Sequence, residues 1–346
     1  MEEKGKKGRI DYTLLLIVVL LVVIGLVILY STSAYNGQVK FHDSFYYLKK
    51  QAFATVLGIV LMLFVAGMDY HIWQRLAVFG YLAAVALSVA VMLFGREING
   101  SKRWLALGPF SFQPSEFAKV ALILFLADLV TKNVKTIGKM WTLCRIMFWI
   151  LPIVGLVGAS NLSTAIIILG IGVILIFVAS PKYAQFALMG IAGACFMGIF
   201  LALESYRLER LAIWRNPEKY EKGYQTLQGL YAIGSGGVFG VGIGNSVQKL
   251  GFVPEAQNDM IFSIICEELG LAGAGIIVFL FLLLIWRFFL IASGSRDLFG
   301  ALIATGAMAH MMIQVILNIA VVTNTIPNTG ITLPFISYGG TSVMFL

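Results

Sequence analysis

The chain has 346 residues, of which 59% are hydrophobic and only 12% charged, with a formal net charge of +8 at pH 7 and a mean hydropathy of +0.90. That composition excludes an ordinary soluble domain, in which about 25% of residues are charged. The positive charge suits cytoplasmic loops facing anionic lipid, so membrane lipid is an expected partner and nucleic acid is not.

Apolar runs of the length that crosses a hydrocarbon core occur at Tyr12 to Ser31, Gln51 to Gly67, Trp73 to Phe94, Pro114 to Val130 and Leu143 to Ala159. Others follow at Leu162 to Ala179, Tyr183 to Leu203, Ile261 to Ile291 and Leu298 to Val322, and a tenth begins near Leu333. The tenth stops at Leu346, short of a crossing, so a final helix completed beyond this chain is expected. The fold class is therefore an all-α polytopic membrane protein. About ten transmembrane helices form one domain over residues 1–346, and a long extracytoplasmic loop at 204–260 separates the seventh from the eighth.

Lys4, Lys6, Lys7 and Arg9 precede the first span, which lacks a small-residue cleavage site and reads as a retained signal anchor with a cytoplasmic N-terminus. The other basic residues favour this orientation once those of the long loop are set aside. Cys144, Cys195 and Cys266 lie in or beside apolar runs without paired spacing and read as small core hydrophobes. No zinc spacing, HExxH or phosphate-loop pattern occurs, and the glycines from Gly234 to Gly244 fail the G-x-G-x-x-G register.

Three polar stretches interrupt this pattern, all on the outward side of the expected topology. In Gly95 to Lys119, glycines and Pro109 supply turns, Arg103 and Trp104 suit a membrane interface, and Glu116 and Lys119 share one helix face. The loop from Glu204 to Met260 is too long to be mere linkage. Its glycine-dense GSGGVFGVGIGNS lets backbone approach backbone or substrate, and Asp259 falls at about the first turn of the helix that follows, where the helix dipole favours its charge. Glu267 and Glu268, deeper in that helix, must face protein or water. The third stretch, Asn324 to Ser342, pairs two prolines with three glycines and predicts a broken start to the final helix.

At these three stretches the sequence resembles the SEDS family of FtsW, RodA and SpoVE. NGSKRWLALGPFSFQPSEFAK, the run from Gly223 to Gly270 containing AIGSGG, GNS, QKL, PEA and EELG, and the closing LPFISYGGTS all occur in order. The resemblance implies a peptidoglycan glycosyltransferase that polymerises lipid II outside the membrane beside a class B penicillin-binding protein. It places the essential aspartate at Asp259, and substrate-binding positions at Arg103, Trp104, Glu116, Lys119, Arg210, Lys249, Gln257, Asn258, Ser337, Tyr338, Gly339 and Gly340. Arg103, Lys119, Arg210 and Lys249 are candidates to assist the departing pyrophosphate. No cofactor follows from the residues, although Asp259 or Glu255 with a pyrophosphate could hold Mg2+ or Mn2+ through mostly water ligands.

Where many relatives carry an aspartate in a P-D-L-G-T pattern, this chain reads Ser160-Asn161-Leu162-Ser163-Thr164. The PEA form and VVTNTIPNTGITLPF look closer to the division and sporulation branch. A lipid II flippase, which calls for paired broken helices, and a noncatalytic scaffold for a penicillin-binding protein are the competing readings. The location implied is the bacterial cytoplasmic membrane, with the active face outside.

Overall fold

A backbone surrounded by hydrocarbon must satisfy its N–H and C=O groups within its own segment, so the apolar runs become helices. The computed structural model describes residues 10–98, 101–107, 110–187, 189–191, 193 and 211–346. Six helices come first: α1 (Tyr12–Phe41), α2 (Tyr46–Ala66), α3 (His71–Phe94), α4 (Pro114–Asn133), α5 (Met140–Ser160) and α6 (Leu162–Ala179). They are followed by α7 (Tyr224–Ser235), α8 (Ile261–Ser293), α9 (Leu298–Val322) and the short α10 (Gly340–Phe345). Seven of these, α1 to α3, α5, α6, α8 and α9, are long and apolar enough to cross a membrane. The chain is a multi-pass membrane protein. Helix α4 has the length but carries Glu116, Lys119, Asp128 and Lys132. The expected span at Tyr183 to Leu203 and the start of the long loop fall largely outside the described residues.

Helix starts follow local chemistry. Asp11 accepts the Leu14 N–H at 2.9 Å to cap α1, and Asp297 accepts that of Gly300 at 2.8 Å to cap α9. Asn161 accepts from the Thr164 N–H at 3.2 Å and caps α6. Pro114 opens α4, where its missing N–H costs nothing.

Two apolar cores share α9. One is built on α4, α5 and α6 and takes in Phe299, Leu302 and Ala309. The other joins α1 to α8 and takes in Met311, Val315 and Val322. Long-range hydrogen bonds gather the polar stretches at one end of the bundle. Arg103 Nε donates to the Ser160 carbonyl at 3.0 Å, Thr341 Oγ1 to that of Ser111 at 2.9 Å, and Ser163 Oγ to that of Thr329 at 2.8 Å.

Three expectations need correction. The fold is not purely α: β1 (Arg96–Ile98), β2 (Ser101–Leu107) and β3 (Phe110–Phe112) form a three-stranded antiparallel sheet between α3 and α4, which pairs backbone groups that a plain turn would leave open. The final helix starts at Gly340 rather than near Leu333. Pro334 has no N–H to give, Phe335 is left-handed at φ 62°, and the Leu333 N–H is taken by Ser337 Oγ at 2.8 Å. Helix α8 is also broken within the membrane, at Gly270, whose φ is 67° and ψ −172°.

Candidate active site

Helix α9 presents His310, Gln314 and Asn318 at four-residue spacing, all at most 4% exposed. Buried amides must find partners, and these find the non-helical stretch after α9. Gln314 Nε2 donates to the Thr332 carbonyl at 3.1 Å. Asn318 Nδ2 donates both to the Ile331 carbonyl at 2.7 Å and to the Asp259 carbonyl at 2.8 Å. One side chain of α9 thus ties the third polar stretch to the end of the second.

Asp259 lies two residues before α8, not in its first turn, and the N-cap of that helix is Met260 without a side-chain bond. Its side chain is 9% exposed. Gln225 Nε2, on α7, stands 3.5 Å from Asp259 Oδ1, and no ion pair holds the carboxylate among the described residues. Burial pushes its pKa up to about 6, and the nearby Glu255 charge adds to this against the pull of backbone N–H groups. A carboxylate in that range is a stronger base than an ordinary aspartate and is still mostly ionised at neutral pH.

The neighbouring candidates form the wall around it. Gln257 accepts from Asn36 Nδ2 of α1 at 3.2 Å, and its carbonyl accepts the Tyr338 N–H at 2.9 Å. Asn258 Nδ2 donates to Glu255 Oε2. Gln51 of α2 brackets the LPFISYGG turn, donating to the Ser337 carbonyl at 3.2 Å and accepting the Gly339 N–H at 3.1 Å. The Tyr338 ring meets Tyr47 edge-on with centroids 5.0 Å apart, and burial pushes the Tyr338 hydroxyl up to about 12, with Tyr46 and Tyr47 adding. Gly340 opens α10 directly after this turn.

The basic candidates are placed differently. Lys119 is 1% exposed, and its ammonium lies 3.0 Å from Glu116 Oε1 and donates to Gln314 Oε1 at 3.1 Å; His310 Nε2 reaches the same oxygen at 2.9 Å. Lys249 is bound 2.6 Å from Glu268 Oε1 and donates to Ser31 Oγ of α1 at 3.0 Å, roughly two and a half turns into α8 from Asp259. Arg103 and Trp104 lie on β2 at the same end of the bundle, both half-buried. Arg210 lies outside the described residues.

The glycine-dense stretch has a structural reason. Val241 and Gly242 donate their N–H groups to the Glu267 and Glu268 carbonyls, and Leu271 and Ala272 donate theirs to Gly237 and Val238, each at 3.0 Å. The loop therefore satisfies the backbone groups that the α8 break releases, as irregular backbone at this depth requires. A Cβ on Gly240, whose φ is 77°, would sit 2.2 Å from the Glu268 oxygen. The glycines serve backbone meeting backbone. On the inner side Glu267 accepts from Ser246 Oγ and from the Val247 N–H at 3.0 Å, so both glutamates of the EELG run are internally paired.

Sequence reading singled out the carboxylate and the lysines but passed over Gln225, Gln314, Asn318 and Asn328. The signal for two of them is present: amides at four-residue spacing on an otherwise apolar span are costly unless they have buried partners.

Fold and site together define a multi-pass membrane protein with a buried carboxylate, without an ion pair among the described residues, where broken helix ends converge. The family profile described as "Cell cycle protein" for FtsW, RodA and SpoVE matches residues 12–346, and the chain belongs to that family. It is 40% identical to Stage V sporulation protein E of Bacillus subtilis, covering 99% of this chain and 95% of the relative. It is 35% identical to a probable peptidoglycan glycosyltransferase FtsW of Trichlorobacter lovleyi, covering 96% and 89%. These likenesses place it with the FtsW and SpoVE branch. Among solved structures, a chain from work on the coordination of polymerization and crosslinking by a peptidoglycan synthase complex superposes with a TM-score of 0.83 at 29% identity, covering 97% of this chain and 94% of that one. The rod shape determining protein RodA of Thermus thermophilus gives 0.71 at 28% identity, covering 97% and 92%.

Proposed function

We propose that the protein is a peptidoglycan glycosyltransferase that polymerises lipid II on the outer face of the cytoplasmic membrane, in division or sporulation, with Asp259 as its base. The observation that carries this reading is a carboxylate buried without a cation among the described residues, at the end of the bundle where the three polar stretches meet, with its pKa raised to about 6. Asp259 takes the proton of the acceptor sugar's 4-hydroxyl as that oxygen bonds to the anomeric carbon of the donor MurNAc. The bond from that carbon to the pyrophosphate breaks, undecaprenyl pyrophosphate leaves with the electron pair, and the linkage inverts from α to β.

Lys119 and Lys249, with their ammonium groups in internal ion pairs, serve in this reading to hold the walls of the site. In this reading Arg103, at the end of the bundle where the polar stretches meet, and Arg210 are the residues that meet the pyrophosphate. Among the described residues no group of three or more His, Cys, Asp and Glu could hold a metal. Mg2+ or Mn2+ would depend on Asp259 and Glu255 with substrate oxygens and water, and would supply charge neutralisation at the leaving group. With α7 left out because it lies in the 204–260 loop, the other nine helices and the span expected at Tyr183 to Leu203 make ten in one domain with that loop outside. A class B penicillin-binding protein is the expected partner, a reading supported by the similarity to a chain of a peptidoglycan synthase complex.

Transport is the second reading, because α8 and the start of α10 are both interrupted. Both breaks lie in the C-terminal part, and the α8 break is closed by the glycine loop, which argues against a paired gate. The test is polymerisation of labelled lipid II by the purified protein with its partner, with moenomycin present to suppress other transferases. Strands from wild type and none from folded, partner-bound Asp259→Asn support the transferase. Equal polymerisation by both removes Asp259 from the chemistry. No polymerisation by either, with lipid II crossing liposome membranes, favours the flippase, and neither activity leaves a scaffold.

A further inference from the structure

Gln225 stands beside the Asp259 carboxylate and Asn328 beside Gln225, and the orientation of each amide is dictated by backbone groups of fixed polarity. The Gly330 N–H can only donate, so Asn328 turns Oδ1 toward it, at 3.1 Å. Asn328 Nδ2 then faces Gln225 and donates to its Oε1 at 3.3 Å. The other end of the Gln225 amide, Nε2, faces the Pro254 carbonyl oxygen, which can only accept, at 3.4 Å, and Asp259 Oδ1 at 3.5 Å. Any reversal of either amide would set oxygen against oxygen or N–H against N–H.

The two carboxylate oxygens are thereby made unequal. Oδ1 has an N–H donor. Oδ2 looks toward Gly330, which is left-handed at φ 69° and has no side chain; a Cβ built there would be 3.8 Å from Oδ2. We propose that Gln225 and Asn328 are positioning residues, a two-amide relay that holds Oδ1 of Asp259 and leaves Oδ2 turned to the acceptor hydroxyl. The inference rests on the reading of Asp259 as the base. Of the elements around Asp259, α7 contributes Gln225, α9 contributes Asn318 and the 323–339 stretch contributes Asn328, while Glu255 is the charged group that acts on it.

The experiment is the pH profile of lipid II polymerisation, with the partner and moenomycin present, for wild type, Asn328→Asp, Gln225→Leu, the double variant and Asp259→Asn. Asn328→Asp keeps its size and its bond to Gly330 but has no N–H for Gln225. Gln225 then turns its own N–H to the new carboxylate and its oxygen to Asp259. Losing a donor disfavours the ionised aspartate, so the acid limb moves up by about one pH unit and the rate at pH 6 falls about fivefold, recovering at alkaline pH. KM for lipid II stays unchanged. Gln225→Leu moves the limb the same way, and adding Asn328→Asp to it has little further effect, whereas a simple effect of added charge would add. An inactive Asp259→Asn with an unmoved acid limb in both other variants, or additive effects in the double, overturns the relay alone. An active Asp259→Asn overturns the base assignment and the relay with it.

Discussion

The Lys249–Glu268 pair distinguishes an internal counterion from a cation that meets substrate. Glu268 has no exposed side-chain surface and Lys249 keeps only 7%, the two are 2.6 Å apart, and Ser31 Oγ donates to both glutamate oxygens at 2.7 and 2.8 Å. Lys249→Met leaves a buried carboxylate with a single hydroxyl, and Glu268→Gln leaves a buried ammonium facing an amide. Breaking one side of such a pair costs about 3–5 kcal/mol, whereas neutralising both costs far less. The double variant should therefore lie within about 1 kcal/mol of wild type, a coupling of roughly 3 kcal/mol or more. Thermal denaturation of the purified complex at constant detergent would show a drop on the order of 5–10 °C for each single variant, largely restored in the double. Polymerisation measured on the same samples below their midpoints should survive in the double. If Lys249→Met leaves the midpoint where it was and abolishes polymerisation, the ammonium serves the substrate and the counterion argument fails.

Two further outcomes follow from the site. Asp259 is raised from 3.8 to about 6, so its protonated form is favoured by the fold. The penalty for its charge is absent below about pH 4, grows as pH rises, and is complete above about pH 6, where it amounts to about 3 kcal/mol. Asp259→Asn should therefore be more heat-stable than wild type at pH 7.5 and equal to it below pH 4, and a variant less stable at pH 7.5 would show that the carboxylate is held by a favourable partner. Gly240→Ala should lose at least 1–2 kcal/mol from its left-handed φ alone, with more from the 2.2 Å approach to the Glu268 oxygen. Faster hydrogen exchange at Val241, Gly242, Leu271 and Ala272 would follow, and unchanged exchange there would refute the backbone pairing.

Much of this architecture was legible in the chain because period and length are local properties. The spans at Leu162 to Ala179 and Leu298 to Val322 agree with α6 and α9 to the residue, since Asn161 and Asp297 start them and Ser180 and Thr323 lie just beyond their ends. Another boundary moved where no such signal exists: α1 runs on through polar residues to Phe41, beyond the expected Ser31. The sheet between α3 and α4 was missed because its strands are short and read as turns around glycine and proline. Asp259 was legible as a carboxylate ahead of an apolar helix. Its surroundings were not, because Gln225, Asn318 and Asn328 come from separate parts of the chain and no spacing rule joins them.

The raised pKa of Asp259 also explains why so much buried polarity surrounds it. A carboxylate stripped of water and given no cation is unfavourable, and a flexible loop would relieve it by opening to solvent. Here the Asn318 amide pins the Asp259 carbonyl to α9, and the Tyr338 N–H pins that of Gln257. The Gly236 to Lys249 segment is locked to α8 behind them by Glu267 and Glu268. None of these bonds is made to the Asp259 carboxylate itself. The segment stays closed while no cation among the described residues neutralises the carboxylate, the combination that the proposed role as a base at neutral pH requires. An arrangement built only for stability would place a lysine against Asp259, as it does against Glu116 and Glu268.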